Sequence, residues 1–215
     1  LLTHAKSLRA KGVRIAAIKS GSSEAGSRAA SSHTGALASP DVAVDALFRK
    51  AGIVRCYGRE ELCTVGNIFT YPEFEGKNIA IITHAGGPAV MLTDALSKAG
   101  MNIPHIEGEM ADELLGKLFA GSAVGNPIDF LATGTPEQLG TIIDYCDTKF
   151  DNIDAMCVIF GTPGLAPIYD AYRVLSEKMK TSKKPIFPIL PSTLVAGDEV
   201  KEFVEMGNTY FADET

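Results

Sequence analysis

The residues best suited to do chemistry lie in one stretch of small side chains, Ser31-Ser32-His33-Thr34-Gly35-Ala36-Leu37. Neutral imidazole is a competent nucleophile near pH 7, because its ordinary pKa lies close to that value. Serine, threonine, glycine and alanine put little bulk around His33, so a phosphate can approach it. The hydroxyls of Ser32 and Thr34 and the backbone N–H of Gly35 can donate to that phosphate. The chemistry indicated is phosphoryl transfer through histidine. The same residue types also describe a solvated loop histidine, and spacing alone leaves both readings open.

Two other stretches are rich in glycine and proline, His84-Ala85-Gly86-Gly87-Pro88 and Gly161-Thr162-Pro163-Gly164. Each follows an apolar run and precedes a helical pattern. Unpaired N–H groups at a helix start, together with the helix dipole, make an anion site. Gly86, Gly87, Gly161, Thr162 and Gly164 are therefore candidate phosphate or substrate contacts, although tight turns alone also account for the glycines. Asn126-Pro127-Ile128-Asp129 can position an acyl or phosphate group through Asn126, and is equally a good turn former. His84, as a neutral donor, can bind phosphate or carboxylate. Lys19 and Arg28 flank the histidine stretch and could steer anions, whereas His4 and His105 lack supporting context and read as structural.

The elements that must hold these residues follow from periodicity. Asn78–Thr83 and Ala155–Phe160 are short apolar runs bounded by polar and glycine residues, the pattern of buried strands. Met101–Pro104, Pro185–Leu190 and Thr209–Phe211 read as three more strands. Pro88 can occupy the first helical position, and Gly100 can end that helix. Thr135-Pro136-Glu137 reads as the N-cap, N1 and N2 of a helix, and another is expected from about Ile168 to Met179. Alternating strands and helices predict an α/β, flavodoxin-like doubly wound parallel sheet of order 2-1-3-4-5. Its winding would reverse between the strands ending at Thr83 and Phe160, which places both glycine-proline loops at the ligand-binding crevice.

The first 70 residues differ. They read as one strand, Val13–Ile18, with two or three helices and a small, polar segment from Lys19 to Ala38. One strand cannot bury a core, so this segment is expected to lean on further structure. The expected division is residues 1–70 and residues 71–215.

Composition narrows the classes. The chain has 215 residues, 46% hydrophobic and 21% charged, which argues against disorder. Acidic residues outnumber basic ones, 26 to 20, and there is no Lys/Arg-rich run, which argues against a sequence-blind nucleic-acid binder. No apolar run is long enough to span a bilayer. The four cysteines form no C-x-x-C pair and no metal-type grouping with histidine, so no metal site is expected and reduced thiols in a cytoplasmic protein are.

Lys19-Ser20-Gly21, Glu24-Ala25-Gly26 and Ala29-Ala30-Ser31-Ser32-His33-Thr34-Gly35-Ala36-Leu37-Ala38 closely resemble the active-site segment of ADP-forming (NDP-forming) acyl-CoA and acetyl-CoA synthetases, in the succinyl-CoA synthetase superfamily. Thr83-His84-Ala85-Gly86-Gly87-Pro88 and Asn126-Pro127-Ile128-Asp129-Phe130 resemble loops of the C-terminal flavodoxin-like domain of the succinyl-CoA synthetase β chain. The resemblance implies that residues 1–70 are the C-terminal part of a first such domain and residues 71–215 a second. It implies that His33 is phosphorylated in turnover and held between N-termini of two helices, the second-domain one starting near Gly161–Gly164. It implies acyl-CoA or carboxylic acid and phosphate as substrates. ATP/ADP, CoA and Mg would be bound mainly by CoA-binding and ATP-grasp domains or subunits outside this sequence. An oligomer is implied, with no nucleic acid and no membrane as partner. His84 stands where the family more often has Asn, and Glu24 does not match by position the glutamate that orients the family's histidine. An alternative is a non-catalytic, acyl-CoA-sensing regulatory module of a fused acyltransferase. A flavin-binding module is a third reading, which the His84–Pro88 loop fits poorly.

Overall fold

The computed structural model describes residues 1–34, 39–162 and 168–214, with positions 33 and 34 described by backbone alone. The chain divides into two compact units, Leu1–Tyr71 and Pro72–Thr215.

The first unit runs α1 (Leu2–Arg9), β1 (Ala16–Ile18), α2 (Glu24–Thr34), α3 (Asp41–Ala51), β2 (Val54–Cys56) and α4 (Arg59–Ile68). β1 and β2 pair in parallel, with Ala17 opposite Arg55. Sequence reading finds only one of these strands. β2 is missed because three residues, one of them a charged Arg55, carry no readable period. Ala5, Phe48, Ala51 and Ile53 form a small core between α1, α3 and the approach to β2. Gly52 ends α3 in the left-handed region, at φ 67°, where glycine has no Cβ to strain.

The polar segment expected as a loop from Lys19 to Ala38 is instead helical over Glu24–Thr34. Ala25, Ala29 and Ala30 are strong helix formers, and the Arg28 guanidinium meets the Glu24 carboxylate one turn earlier at 2.6 Å. His33 therefore lies within α2.

The second unit runs β3 (Ile79–Thr83), α5 (Gly86–Lys98), α6 (Glu109–Leu115), β4 (Ile128–Asp129), α7 (Pro136–Thr148), β5 (Ala155–Ile159), α8 (Tyr169–Thr181), β6 (Ile186–Ile189) and α9 (Gly197–Glu205). The sheet order is β4-β3-β5-β6, all parallel. β3 and β5 are fully buried along their whole length. Ala80, Ile82, Met156 and Val158 point to one face, beneath Leu139 and Ile142 of α7, Leu175 of α8 and Phe203 of α9. Ile79, Ile81, Cys157 and Ile159 point to the other, beneath Ala89 and Leu92 of α5. Strand alternation thus builds two cores, and helices on both faces make the sheet doubly wound. The fold class is α/β, as the alternating pattern predicts.

The expected outer strands are shorter than read. Met101–Pro104 contributes one bridge, Asn102 to Asn78, and the last strand contributes one bridge, Phe211 to Ile189. The outer edge of β3 is shared: Asn102 pairs with its start and β4 with its end. The winding still reverses between β3 and β5. α5 begins at Gly86, so Pro88 is the third helical residue, not the first. It is tolerated there because the first-turn N–H groups have no intrahelical acceptor. Among the described residues no helix is long and apolar enough to cross a membrane.

Candidate functional site

The carboxyl ends of β3, β4, β5 and β6 bring His84, Asp129, Gly161, Thr162 and Ser192 together. Each strand contributes through its local chemistry. Thr83 is fully buried, and its hydroxyl both accepts from the Ala85 N–H at 3.0 Å and donates to the Ala85 carbonyl at 2.8 Å. That double contact turns the chain from β3 into α5. Ala85 is the helix N-cap and offers no side-chain cap, so among the described residues the first N–H groups of α5, at Gly86 and Gly87, have no intrahelical or capping acceptor. Among the described residues no atom lies within 4 Å of a Cβ built on Gly87. The Asp129 carboxylate lies at this helix start, with Oδ2 3.6 Å from where a Gly86 Cβ would stand. Its other oxygen accepts from the Leu131 N–H at 2.9 Å.

His84 is buried, 9% exposed, with its ring tilted against Phe160 at 4.6 Å between centroids. The Gly161 N–H donates to His84 Nε2 at 2.9 Å. An N–H can donate only to an unprotonated nitrogen, so the ring is neutral and its proton sits on Nδ1. Burial pushes the imidazole pKa below its ordinary value, and the nearby Asp129 carboxylate pulls the other way. Next along, the Thr162 N–H donates to Ser192 Oγ at 3.0 Å.

Asn126 has its amide inserted into the sheet. Its Oδ1 accepts from the Ile81 N–H at 2.9 Å, while Nδ2 donates to the Ile79 carbonyl at 2.9 Å and the Pro104 carbonyl at 3.0 Å. The amide replaces a missing stretch of strand between Asn102 and β4. Both of its N–H donors are engaged, so the phosphate-contact reading of Asn126 is corrected to a splint of the sheet. It holds a left-handed φ of 65°, which asparagine tolerates better than most residues.

The other expected site residues divide as follows. His33 and Thr34 lie in α2, and their side chains fall outside the described structure, as do Gly35 and Gly164 entirely. Ser32 Oγ donates to the Arg28 carbonyl at 3.0 Å, so its proton serves its own helix rather than an open phosphate site. Lys19 is engaged with the Gly21 carbonyl and with Asp41 at 3.4 Å, and Asp41 also meets Arg55 at 2.7 Å. The hydrogen bond from Arg55 holds the Asp41 carboxyl below its ordinary pKa. Gly161 and Thr162 are in the crevice, but their N–H groups serve His84 and Ser192. α8 begins at Tyr169, and the helix start expected near Gly161–Gly164 lies partly outside the described residues. Sequence reasoning missed Ser192, whose only signal is its place just past β6, a strand that was readable. Burial pushes the Cys146 and Cys157 thiols up to about 12, which leaves them inert.

Residues 1–69 match the family described as succinyl-CoA ligase like flavodoxin domain. Over 194 residues the chain is 31% identical to acetate–CoA ligase [ADP-forming] II subunit alpha of Pyrococcus furiosus, covering 89% of this chain and 42% of that protein. Over 124 residues it is 40% identical to acetate–CoA ligase [ADP-forming] of Methanocaldococcus jannaschii, covering 57% of this chain and 18% of that protein. The chain is a relative of the ADP-forming acyl-CoA synthetases. It spans less than half the length of these relatives. Its fold is also that of the Ca. Korarchaeum cryptofilum dinucleotide forming acetyl-coenzyme A synthetase 1 in complex with phosphate and ADP, with a TM-score of 0.85. Identity there is 19%, over 99% of this chain and 46% of that one.

In this acyl-CoA synthetase relative the crevice glycines differ in what they tolerate. A Cβ on Gly161 would stand 2.8 Å from Ser192 Oγ and 3.8 Å from His84 Nε2. Gly161→Ala is expected to displace Ser192 and lower stability by about 1–3 kcal/mol. Gly87→Ala, in open space on a helix, is expected to be neutral or to stabilise by up to about 1 kcal/mol. Urea denaturation of both variants checks the contrast. Equal midpoints would contradict the close packing at Gly161.

Proposed function

We propose that this chain is part of an acyl-CoA synthetase (NDP-forming) that works through a phosphohistidine at His33. It would interconvert acyl-CoA, ADP and phosphate with acid, CoA and ATP. The observation that carries the reading is the position of His33 within a small-residue segment, in the part of the chain matched by the succinyl-CoA ligase like flavodoxin family. The sequence relation to ADP-forming acetate–CoA ligases supports the reaction class.

The steps balance as follows. Phosphate oxygen attacks the acyl carbon of the thioester, the C–S bond breaks, and CoA leaves as its thiol. The imidazole nitrogen then attacks phosphorus, the P–O bond to the acyl group breaks, and the carboxylate departs. ADP oxygen next attacks phosphorus, the P–N bond breaks, and neutral imidazole and ATP remain. All three steps reverse.

His33 lies in α2. The second unit offers a separate anion-compatible start at Gly86 and Gly87, and we assign its crevice to substrate phosphate or carboxylate.

Residues 1–70 are proposed as the C-terminal part of a first succinyl-CoA-ligase-like flavodoxin domain, and residues 71–215 as a second. Among the described residues no three His, Cys, Asp or Glu side chains are placed to share a metal ion. Mg, ATP/ADP and CoA are assigned to CoA-binding and ATP-grasp domains or subunits, in a cytoplasmic, oligomeric assembly. The chain alone is not expected to turn over.

The test is the full-length protein with acetyl-CoA, phosphate, ADP and Mg²⁺. The reading expects ATP and free CoA in equal amounts, each requiring both phosphate and ADP. Binding of acyl-CoA without any turnover would favour the sensing module instead.

A further inference from the structure

The hydrogen bond between His84 and Gly161 joins the ends of the two central strands across the point where the winding reverses. Among the described residues the His84 side chain makes no other hydrogen bond. Its ring is 9% exposed and lies against Phe160, whose carbonyl accepts from the buried Tyr172 hydroxyl at 3.0 Å. The ring therefore cannot swing away without opening the core. The Ser192 hydroxyl lies 2.8 Å from where a Gly161 Cβ would stand. Thr162 is gripped through its own N–H by the same hydroxyl. Two side chains, one after β3 and one after β6, thus set the path of the chain leaving β5.

We propose that His84 is a positioning residue: as a neutral imidazole it accepts from the Gly161 N–H and so fixes the Gly161–Thr162 backbone at the crevice. The link to catalysis rests on the ligase reading above; the link to the backbone does not. An imidazolium carries protons on both nitrogens and cannot accept this bond, so protonation must release the Gly161 amide. Charged groups around the ring are few. β4 presents Asp129, which favours the protonated form. The chain leaving β5 presents the Phe160 ring and the Gly161 amide. Residues 163–167 contain no ionisable side chain. The sign follows from burial, the leading cause of the lowered pKa. The folded state binds fewer protons than the unfolded state, whose histidine titrates near 6.5. The His84 contribution is therefore complete above that value and is lost as pH falls through the lower, folded pKa.

The experiment compares wild type, His84→Gln and His84→Phe in the full-length protein. Gln can offer Oε1 near the position of Nε2 and does not titrate, whereas Phe keeps the ring and loses the acceptor. Ring nitrogen NMR of wild type is expected to show a bare Nε2 and a protonated Nδ1 at pH 7.5. Hydrogen exchange at the Gly161 amide is expected to be at least about tenfold faster in His84→Phe and close to wild type in His84→Gln. Neither readout needs turnover, so they decide the backbone role even if the chain is not a ligase. A proton on Nε2, or unchanged Gly161 exchange in His84→Phe, overturns it. For the catalytic link, the KM for phosphate in wild type is expected to rise as pH falls below 6.5 while staying flat in His84→Gln. The same pH dependence in both proteins overturns that link.

Discussion

Replacing His33 with alanine is expected to lower the rate of ATP formation by at least about 10³-fold, a loss of about 4 kcal/mol in transition-state stabilisation. The reason is chemical. Alanine has no nucleophile, and the relay has no second route from acyl phosphate to ADP. The neighbouring candidates do not replace it. His84 Nε2 is occupied by the Gly161 N–H, and the ring is buried against Phe160. The Ser32 hydroxyl donates its proton to the Arg28 carbonyl of its own helix. Alanine is also the strongest helix former, so α2 loses no intrinsic propensity. The first half-reaction should survive: acyl-CoA and phosphate can still give acyl phosphate and CoA. A His33→Ala enzyme that releases CoA in a single turnover but makes no ATP matches the account. Full ATP formation by the variant contradicts it.

The second large effect concerns stability. Asn126→Gly is expected to destabilise the chain by about 2–4 kcal/mol. It leaves the Ile81 N–H and the Ile79 carbonyl, on a strand whose residues are almost wholly inaccessible, without partners. Each such unpaired buried group costs about 1–3 kcal/mol. Glycine is the informative substitution because it accepts the left-handed φ at no steric cost. The loss then reports the amide and not backbone strain. Asn126→Asp should also destabilise at neutral pH, since it keeps the acceptor for Ile81 but turns the donor into a second acceptor facing two carbonyls. Urea midpoints check both, with a fall of about 1 M or more expected for glycine. A change below about 0.5 kcal/mol would mean that water takes the place of the amide. Because Asp129 follows three residues later, loss of the splint should also weaken placement of the carboxylate at the start of α5.

The sheet was legible wherever burial was two-sided. Ile79–Thr83 and Ala155–Ile159 lie between two helical layers, so they must be uniformly apolar, and that run is visible. The start of α7 was legible because Thr135-Pro136-Glu137 reads as N-cap, N1 and N2, and the structure adds a capping box closed by Gln138. β4 was not, because two residues have no period. Its pairing depends on Asn126 imitating a peptide group, and the same Asn-Pro sequence is an ordinary turn signal elsewhere. α2 was misread because serine and glycine point to loops, whereas its alanines and the Glu24–Arg28 pair settle the matter only in context. In the crevice, the N–H groups of Gly161 and Thr162 serve His84 and Ser192, contacts between residues 77 and 30 positions apart that no local pattern encodes.

The most direct test is to incubate the full-length protein with ATP and Mg²⁺, and to map any acid-labile, base-stable phosphate by peptide mass spectrometry. The account predicts label on His33, discharged by ADP and absent from His33→Ala. Label confined to another residue, or no histidine label in a preparation that binds acyl-CoA normally, would contradict it.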